Sequence, residues 1–390
     1  MFRLRAGIIG MGSIGPVHLE AARRLGAEVV ALVGSTEEKA HGQADSLGVP
    51  SAYGDYRALL ERPDVEVVHI CTPNHLHFPM ARDALAAGKH VICEKPLGLD
   101  SRESSLLLDM ARQSGLVHAV NFNNRFYPLV QHARDLIRQG ELGRLFAIRG
   151  ACLMDSLLYE TDYNWRLDLQ SGGLTCVLST VGSHLIDLLT YVSGQAVVEV
   201  CADFSTVHPV RRPAPASLGP GTAQVASGEP VEKIIRTEDS AGALLRYDSG
   251  ARGSLTVSQV SAGRKYCHQL EVDGAKAALT WQSEEPNTLW LGYRDQANHV
   301  LPKDPSLLSV RAAQYVDHPG GCAEGFGDTF KQFLGCVYAA IRKREGGEAV
   351  LPDFPTFADG HAERLVNDAL AGSATTGGWV RVSRPSPQME

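Results

Sequence analysis

Over the first 122 residues, short β-branched apolar runs alternate with stretches whose apolar residues recur every three or four positions. This alternation predicts βαβ units around a parallel sheet. Gly7-Ile8-Ile9, Val29 to Val33, Val65 to Cys71, His90 to Cys93 and Val117 to Val120 are the predicted strands, and Pro16 to Leu25, Thr36 to Leu47, His77 to Ala87 and Ser101 to Ser114 the predicted helices. Gly88-Lys89 reads as a helix stop, with glycine at the left-handed position and lysine near the negative end of the dipole.

After residue 123 the pattern changes. One helix, Pro128 to Gln139, leads into alternating runs joined by tight turns at Asp248-Ser249-Gly250 and Asp273-Gly274. Such turns between alternating runs signal hairpins, so this part is expected to form an α+β domain with an antiparallel sheet and helices on one face. The expected architecture is therefore α/β: residues 1–122 a doubly wound parallel-sheet domain, residues 123–390 an α+β domain. Residues 210–230, rich in proline and glycine, read as a mobile loop.

The length of 390 residues fits about two domains. A net charge of -7 argues against nucleic acid and anionic membranes as partners. No apolar run is long enough for a membrane helix, and the N-terminus leaves no room for a signal-peptide apolar region. The eight cysteines are scattered, without a C-x-x-C pair or a Cys/His cluster at zinc spacing, so no metal site is expected and a reducing cytoplasm is.

Gly10-Met11-Gly12-Ser13-Ile14-Gly15 follows the first predicted strand and opens the first helix. In that context the glycines allow a tight turn, close approach of a pyrophosphate and close helix packing, with the phosphates at the positive helix end. An NAD site of this kind usually has an Asp or Glu after the second strand. Here that strand runs into Gly34-Ser35-Thr36, with Lys39 one turn later. Small hydroxyl residues and a lysine suit a 2′-phosphate, so NADP is expected in preference to NAD. The competing reading makes Ser35 the cap of the second helix, with Glu38 completing a capping box. Thr72, Pro73, Asn74 and His77 after one strand, and Glu94, Lys95 and Pro96 after the next, stand at strand ends where such folds bind ligands. These are further cofactor candidates.

The ordered set Gly10 to Gly15, Thr72-Pro73-Asn74-His75-Leu76-His77, Glu94-Lys95-Pro96, Asn123-Asn124-Arg125-Phe126, Gly172-Gly173 and Gly182-Ser183-His184-Leu185-Ile186-Asp187 resembles the Gfo/Idh/MocA family of nicotinamide-dependent oxidoreductases. The resemblance implies sugars, polyols or their derivatives as substrates, oxidised at a ring secondary alcohol or reduced at the ketone. It also implies that residues 1–122 are a Rossmann dinucleotide-binding domain and residues 123–390 a substrate-binding and oligomerisation domain with a large open, mostly antiparallel sheet, through which homodimers or homotetramers form. Carried over residue by residue, it makes Lys95 a contact of both cofactor and substrate hydroxyl, and His184 the acid/base. That agrees with the chemistry: loss of hydride from an alcohol carbon requires loss of the hydroxyl proton, which a neutral imidazole can take while an ammonium steadies the oxygen.

Many relatives carry Asp one turn before this histidine, where the chain has Thr180. Asp187 or another residue then has to orient His184, or His184 works at a lower pKa, or the chain is slower or repurposed. Asn123, Trp165 and Arg166 are cofactor candidates. Arg125, Tyr163, Trp165, Arg166 and Thr180 join Lys95 and His184 as substrate candidates, with a buried structural Trp and a surface Arg as the plainer reading of Trp165-Arg166. His318 to Gly321 and Glu324 to Asp328 are candidates for the pocket wall, with helix capping an equal account of Asp328. Two further functions fit the resemblance: a glycoside hydrolase that retains NAD for a transient oxidation, and a non-catalytic dinucleotide-binding regulator.

Overall fold

The structure is a computed structural model that describes residues 3–213 and 232–383. Its first part runs β1 (Arg5–Ile9), α1 (Gly15–Arg24), β2 (Glu28–Val33), α2 (Glu37–Leu47), β3 (Ala52–Tyr53), α3 (Tyr56–Leu60), β4 (Val67–Ile70), α4 (His77–Ala86), β5 (His90–Cys93), α5 (Ser101–Ser114) and β6 (His118–Val120). The six strands are parallel in the order β3-β2-β1-β4-β5-β6. The strand order reverses between β1 and β4, so their carboxyl ends open a crevice at Gly10 and Cys71. Helices on both faces explain why β4 and β5 are buried throughout and read as continuous apolar runs.

The sequence pattern misses β3 and α3, of two and five residues, because neither is long enough to show a period. At α4 the stop is Gly88 at φ +72°, as expected. Lys89 does not serve the helix dipole, however: its ammonium donates to the carbonyls of Arg62 (2.6 Å) and Val65 (2.9 Å).

The second part runs α6 (Pro128–Arg138), β7 (Leu145–Leu153), α7 (Leu169–Gly172), α8 (Ser183–Ser193), β8 (Val197–Ser205), β9 (Val210–Arg211), β10 (Lys233–Ile234), β11 (Ser240–Tyr247), β12 (Arg252–Ser258), β13 (Cys267–Gly274), β14 (Ala278–Gln282), β15 (Thr288–Gly292), β16 (His299–Pro302), α9 (Val310–Ala313), α10 (Phe326–Glu345), α11 (Phe357–Thr376) and β17 (Val380–Arg381). Nine strands form one sheet in the order β16-β15-β14-β13-β7-β12-β11-β8-β17, antiparallel except for the β7–β12 pair. Both expected hairpins are present, between β11 and β12 and between β13 and β14. Gly250 supplies the left-handed residue of the first at φ +88°.

The inner face of this sheet packs against apolar residues of α6, α8 and α11. Register places Leu244, Ser254, Arg149 and Glu271 in one row across the outer face, where Leu244 is exposed and Arg149 pairs with Glu271 (2.8 Å) and Asp273 (2.5 Å). The late helices return to the first sheet. Phe330, Phe333, Leu334, Val337 and Tyr338 of α10 share a core with Leu4, Ala6, Ile8 and Leu19, and Phe357 of α11 shares one with Ile9 and Val120. Within the 210–230 loop, Val210 and Arg211 pair with β10, while residues 214–230 lie outside the described residues. Among the described residues no helix is long and apolar enough to cross a membrane, and no cluster of His, Cys, Asp and Glu is suited to a metal ion.

Candidate active site

The turn after β1 is built by glycine for steric reasons. Gly10 has φ +96°, and a Cβ there would lie 2.7 Å from the Cys71 carbonyl; a Cβ on Gly15 would collide with the Gly10 carbonyl. Gly12 has no neighbour within 4 Å of its Cβ position, so its backbone borders open space. At the start of α1, Ile14 makes no side-chain cap and the first turn holds no acid. In that turn Pro16 has no N–H and Val17 N–H bonds the Ile14 carbonyl (3.0 Å), so it is the backbone of the glycine turn itself that is offered to an anion such as a dinucleotide pyrophosphate.

This turn forms one wall of a cavity of about 1000 Å³. The cavity brings together Gly10, Met11, Gly12, Ser13 and Ile14 with Ser35, Lys39, Thr72, Pro73, Asn74, Glu94, Lys95 and Asn123, and with Tyr163, Trp165, Arg166, Thr180 and His184 from the second part of the chain. Five candidates are not in its lining. Gly15 packs behind the turn. Thr36 caps α2, its hydroxyl accepting from Lys39 N–H at 3.3 Å. The cap is thus Thr36 and not Ser35, which corrects the competing reading and leaves the Ser35 side chain free of that task. His77 sits between the carbonyls of Pro96 (2.7 Å) and Thr72 (2.9 Å), tying the two strand-end loops together, with Pro96 following a cis peptide. Arg125 lies behind the cavity in an ion-paired cluster described below.

The lining also includes residues that sequence reasoning misses, among them Gln43, Tyr56, Asn121, Ser156, Gln259 and Tyr266. Gln43 donates to the Met11 carbonyl (3.0 Å), and Gln259 is joined to Ser156 (3.3 Å). None of these residues belongs to a motif; each arrives from a helix or strand end that only the fold brings near. Of the late turn-rich segment, Phe326 lines the cavity and His318 to Gly321 do not. Asp328 closes a capping box at α10, accepting from Gly325 N–H at 2.9 Å, so capping accounts for it.

Lys95 points its ammonium at the Thr180 carbonyl (2.6 Å). Burial lowers its pKa to about 8, Arg166 adding to the fall and Glu94 opposing it. Thr180 sits in a π-helical turn, Leu178–Gly182, that runs into α8. Glu238 anchors the start of that segment, its carboxylate accepting from Cys176 N–H (2.9 Å) and Leu178 N–H (3.0 Å).

His184, on the first turn of α8, lies edge-on to Phe122 and His268 with ring centroids 6.0 and 5.9 Å away. Among the described residues its buried Nδ1 has no hydrogen-bond partner. Burial first, then Lys95 and His268, holds the imidazole well below its ordinary pKa. Asp187 does not orient it. That carboxylate is taken by Arg125, which bonds it through Nε (2.8 Å) and a second nitrogen and also reaches Asp359 (2.8 Å). Of the ways to manage without Asp at position 180, the geometry therefore matches a neutral imidazole of lowered pKa. Replacing Asp187 would leave the buried Arg125 short of a partner. Asp187→Ala is expected to cost about 3 kcal/mol or more, as orphaning one member of a buried pair does. A lower urea midpoint at unchanged slope checks this.

A sequence model of the oxidoreductase family with an NAD-binding Rossmann fold matches residues 4–122, and one of the GFO/IDH/MocA C-terminal domain matches residues 130–280. The chain is 30% identical to levoglucosan dehydrogenase of Pseudarthrobacter phenanthrenivorans, over 99% of this chain and 100% of that protein. Among solved structures, levoglucosan dehydrogenase in complex with NADH and L-sorbose superposes with a TM-score of 0.86 at 28% identity, covering 99% of this chain and 100% of that one. An inositol dehydrogenase homolog from Azotobacter vinelandii, complexed with NADH and myo-inositol, gives a TM-score of 0.84 at 26% identity over 97% of both chains.

Proposed function

The chain belongs to the Gfo/Idh/MocA family of oxidoreductases, and from that premise we propose that it is an NAD(P)-dependent dehydrogenase moving hydride between the nicotinamide and a ring secondary alcohol or ketone of a sugar, polyol or glycoside. The observation that carries this reading is the presence of Lys95 and His184 in one cavity with the uncapped glycine turn. A nicotinamide dinucleotide held along Gly10 to Ile14, with Ser35 and Lys39 at its adenosine end, would supply the hydride acceptor or donor.

The residues of the chain do the rest. In the oxidation direction the neutral His184 imidazole takes the substrate hydroxyl proton, and the Lys95 ammonium donates to the same oxygen as charge builds on it. In reduction both steps reverse. Thr180 holds Lys95 through its carbonyl, and Trp165 and Arg166 offer a stacking face and donors to hydroxyl groups. The dehydrogenase names of the relatives support net oxidoreduction over the hydrolytic and regulatory alternatives.

For the cofactor, we read a preference for NADP: no carboxylate stands at the end of β2, Ser35 and Lys39 line the cavity, and the capping task falls to Thr36. The outer face of the nine-stranded sheet, with its exposed Leu244 row, is the surface we assign to a homodimer or homotetramer. A screen of sugars, inositols and glycosides with both cofactors, followed at the reduced-nicotinamide absorbance, tests the function. We expect turnover on a sugar or polyol with a larger kcat/KM for NADP. Product release from glycosides without net cofactor reduction would overturn the dehydrogenase reading, and a larger value for NAD would overturn the cofactor preference.

A further inference from the structure

Behind the cavity, four buried side chains, three from separate elements and one from the loop after β5, form one hydrogen-bonded chain. Glu94, after β5, meets Nε2 of His18 on α1 (3.0 Å). Nδ1 of His18 meets Nδ1 of His69 on β4 (3.0 Å), and Nε2 of His69 meets the hydroxyl of Tyr338 on α10 (2.9 Å). Both histidines are fully buried and Tyr338 nearly so. Glu94 lines the cavity; the other three do not.

The proton positions follow by elimination. Among the described residues the Tyr338 hydroxyl has no hydrogen-bond partner other than His69, and burial holds its pKa well up, so it donates and His69 Nε2 accepts. His69, kept neutral by burial, must then carry its proton on Nδ1 and donate it to His18. His18 Nδ1 is thereby an acceptor, and the proton of His18 lies on Nε2, facing Glu94. A chain ordered this way ends on an acceptor. The Asn121 amide donates to the same carboxylate oxygen at 2.5 Å.

We propose that Tyr338, a residue outside the cavity, is a positioning residue for the reaction: its hydroxyl sets the direction of this buried chain so that Glu94 meets Lys95 as a carboxylate. The proposal rests on the role assigned to Lys95 above. The groups acting on Lys95 are Glu94 beside it, Arg166 in the loop after β7, His184 on α8, His268 on β13, Cys152 on β7 and Glu363 on α11. Glu94 does the most to keep the ammonium protonated against its burial. Without the phenol, the His69 proton is free to sit on either nitrogen, His18 can turn its acceptor to Glu94, and the carboxylate can then bind a proton. Lys95 loses its counter-charge and deprotonates at lower pH.

Two measurements test this. Nitrogen-15 NMR of the wild-type protein labelled at histidine is expected to show the Nε2–H tautomer for His18 and the Nδ1–H tautomer for His69; the opposite pair overturns the proposal. In Tyr338→Phe the alkaline limb of kcat/KM is expected to move to lower pH by on the order of half a unit or more, in the same direction as in Glu94→Gln. A folded Tyr338→Phe whose limb stays in place while that of Glu94→Gln moves would show a merely structural tyrosine. If Lys95→Ala leaves kinetics unchanged, it is the catalytic reading of Lys95 that fails, whereas the tautomers decide the chain independently.

Discussion

Replacing Lys95 by alanine is expected to lower kcat by about 10³-fold, a loss of about 4 kcal/mol of transition-state stabilisation, with a smaller effect on cofactor binding. The ammonium is held by the Thr180 carbonyl inside a buried wall, so its charge acts with little screening. Arg166 lines the same cavity but stacks on Trp165 at 4.5 Å. The pH dependence separates this role from simple packing. Burial puts the Lys95 pKa near 8, so activity that needs the ammonium is full below that pH and falls as pH rises through it. Lys95→Arg, which keeps the charge throughout, is expected to retain more activity than the alanine variant and to lose this alkaline limb. Steady-state rates across pH for the three proteins check both points, and an alanine variant with wild-type kcat would remove Lys95 from the mechanism.

Loss of His184 is the second large effect: His184→Ala is expected to reduce kcat by about 10² to 10⁴-fold, the usual contribution of a general acid or base. Because burial, Lys95 and His268 hold the imidazole well below its ordinary pKa, it remains neutral through the neutral range. The wild-type rate of alcohol oxidation is therefore expected to show no acid limb at the ordinary histidine pKa. A limb near 6.5 that disappears in His184→Ala would mean that some group supplies the orienting charge that Thr180 lacks. Asp187 is not placed to do so, since Arg125 takes its carboxylate.

The residues of the site that announce themselves in the sequence are those whose role is set by their own backbone neighbourhood. Gly10 to Gly15 had to be glycine-rich because a Cβ at Gly10 or Gly15 would strike the backbone, and a strand before them and a helix after them were readable from periodicity. Lys95 and His184 were legible through the motifs around them. Ser35 was ambiguous, because it could meet a cofactor phosphate or cap α2; the hydrogen bond from Lys39 N–H to the Thr36 hydroxyl gives the cap to Thr36. Arg125 looked like a ligand contact because its motif lies near the cleft, yet it is bound to Asp187 and Asp359, 62 and 234 positions away.

Local order was thus written along the chain: parallel βα units, then hairpins, and the glycine turn. These depend on contacts between near neighbours, where period and turn chemistry act directly. The tertiary structure decided what depends on groups far apart in sequence. It returned α10 to the first sheet, put Gln259 and Tyr266 into the cavity wall, committed Asp187 to Arg125 and so left His184 without a carboxylate, and joined Tyr338 to Glu94 through two histidines. The pKa values of Lys95 and His184 belong to this second group, because burial and the charges that surround each side chain exist only once the chain has folded.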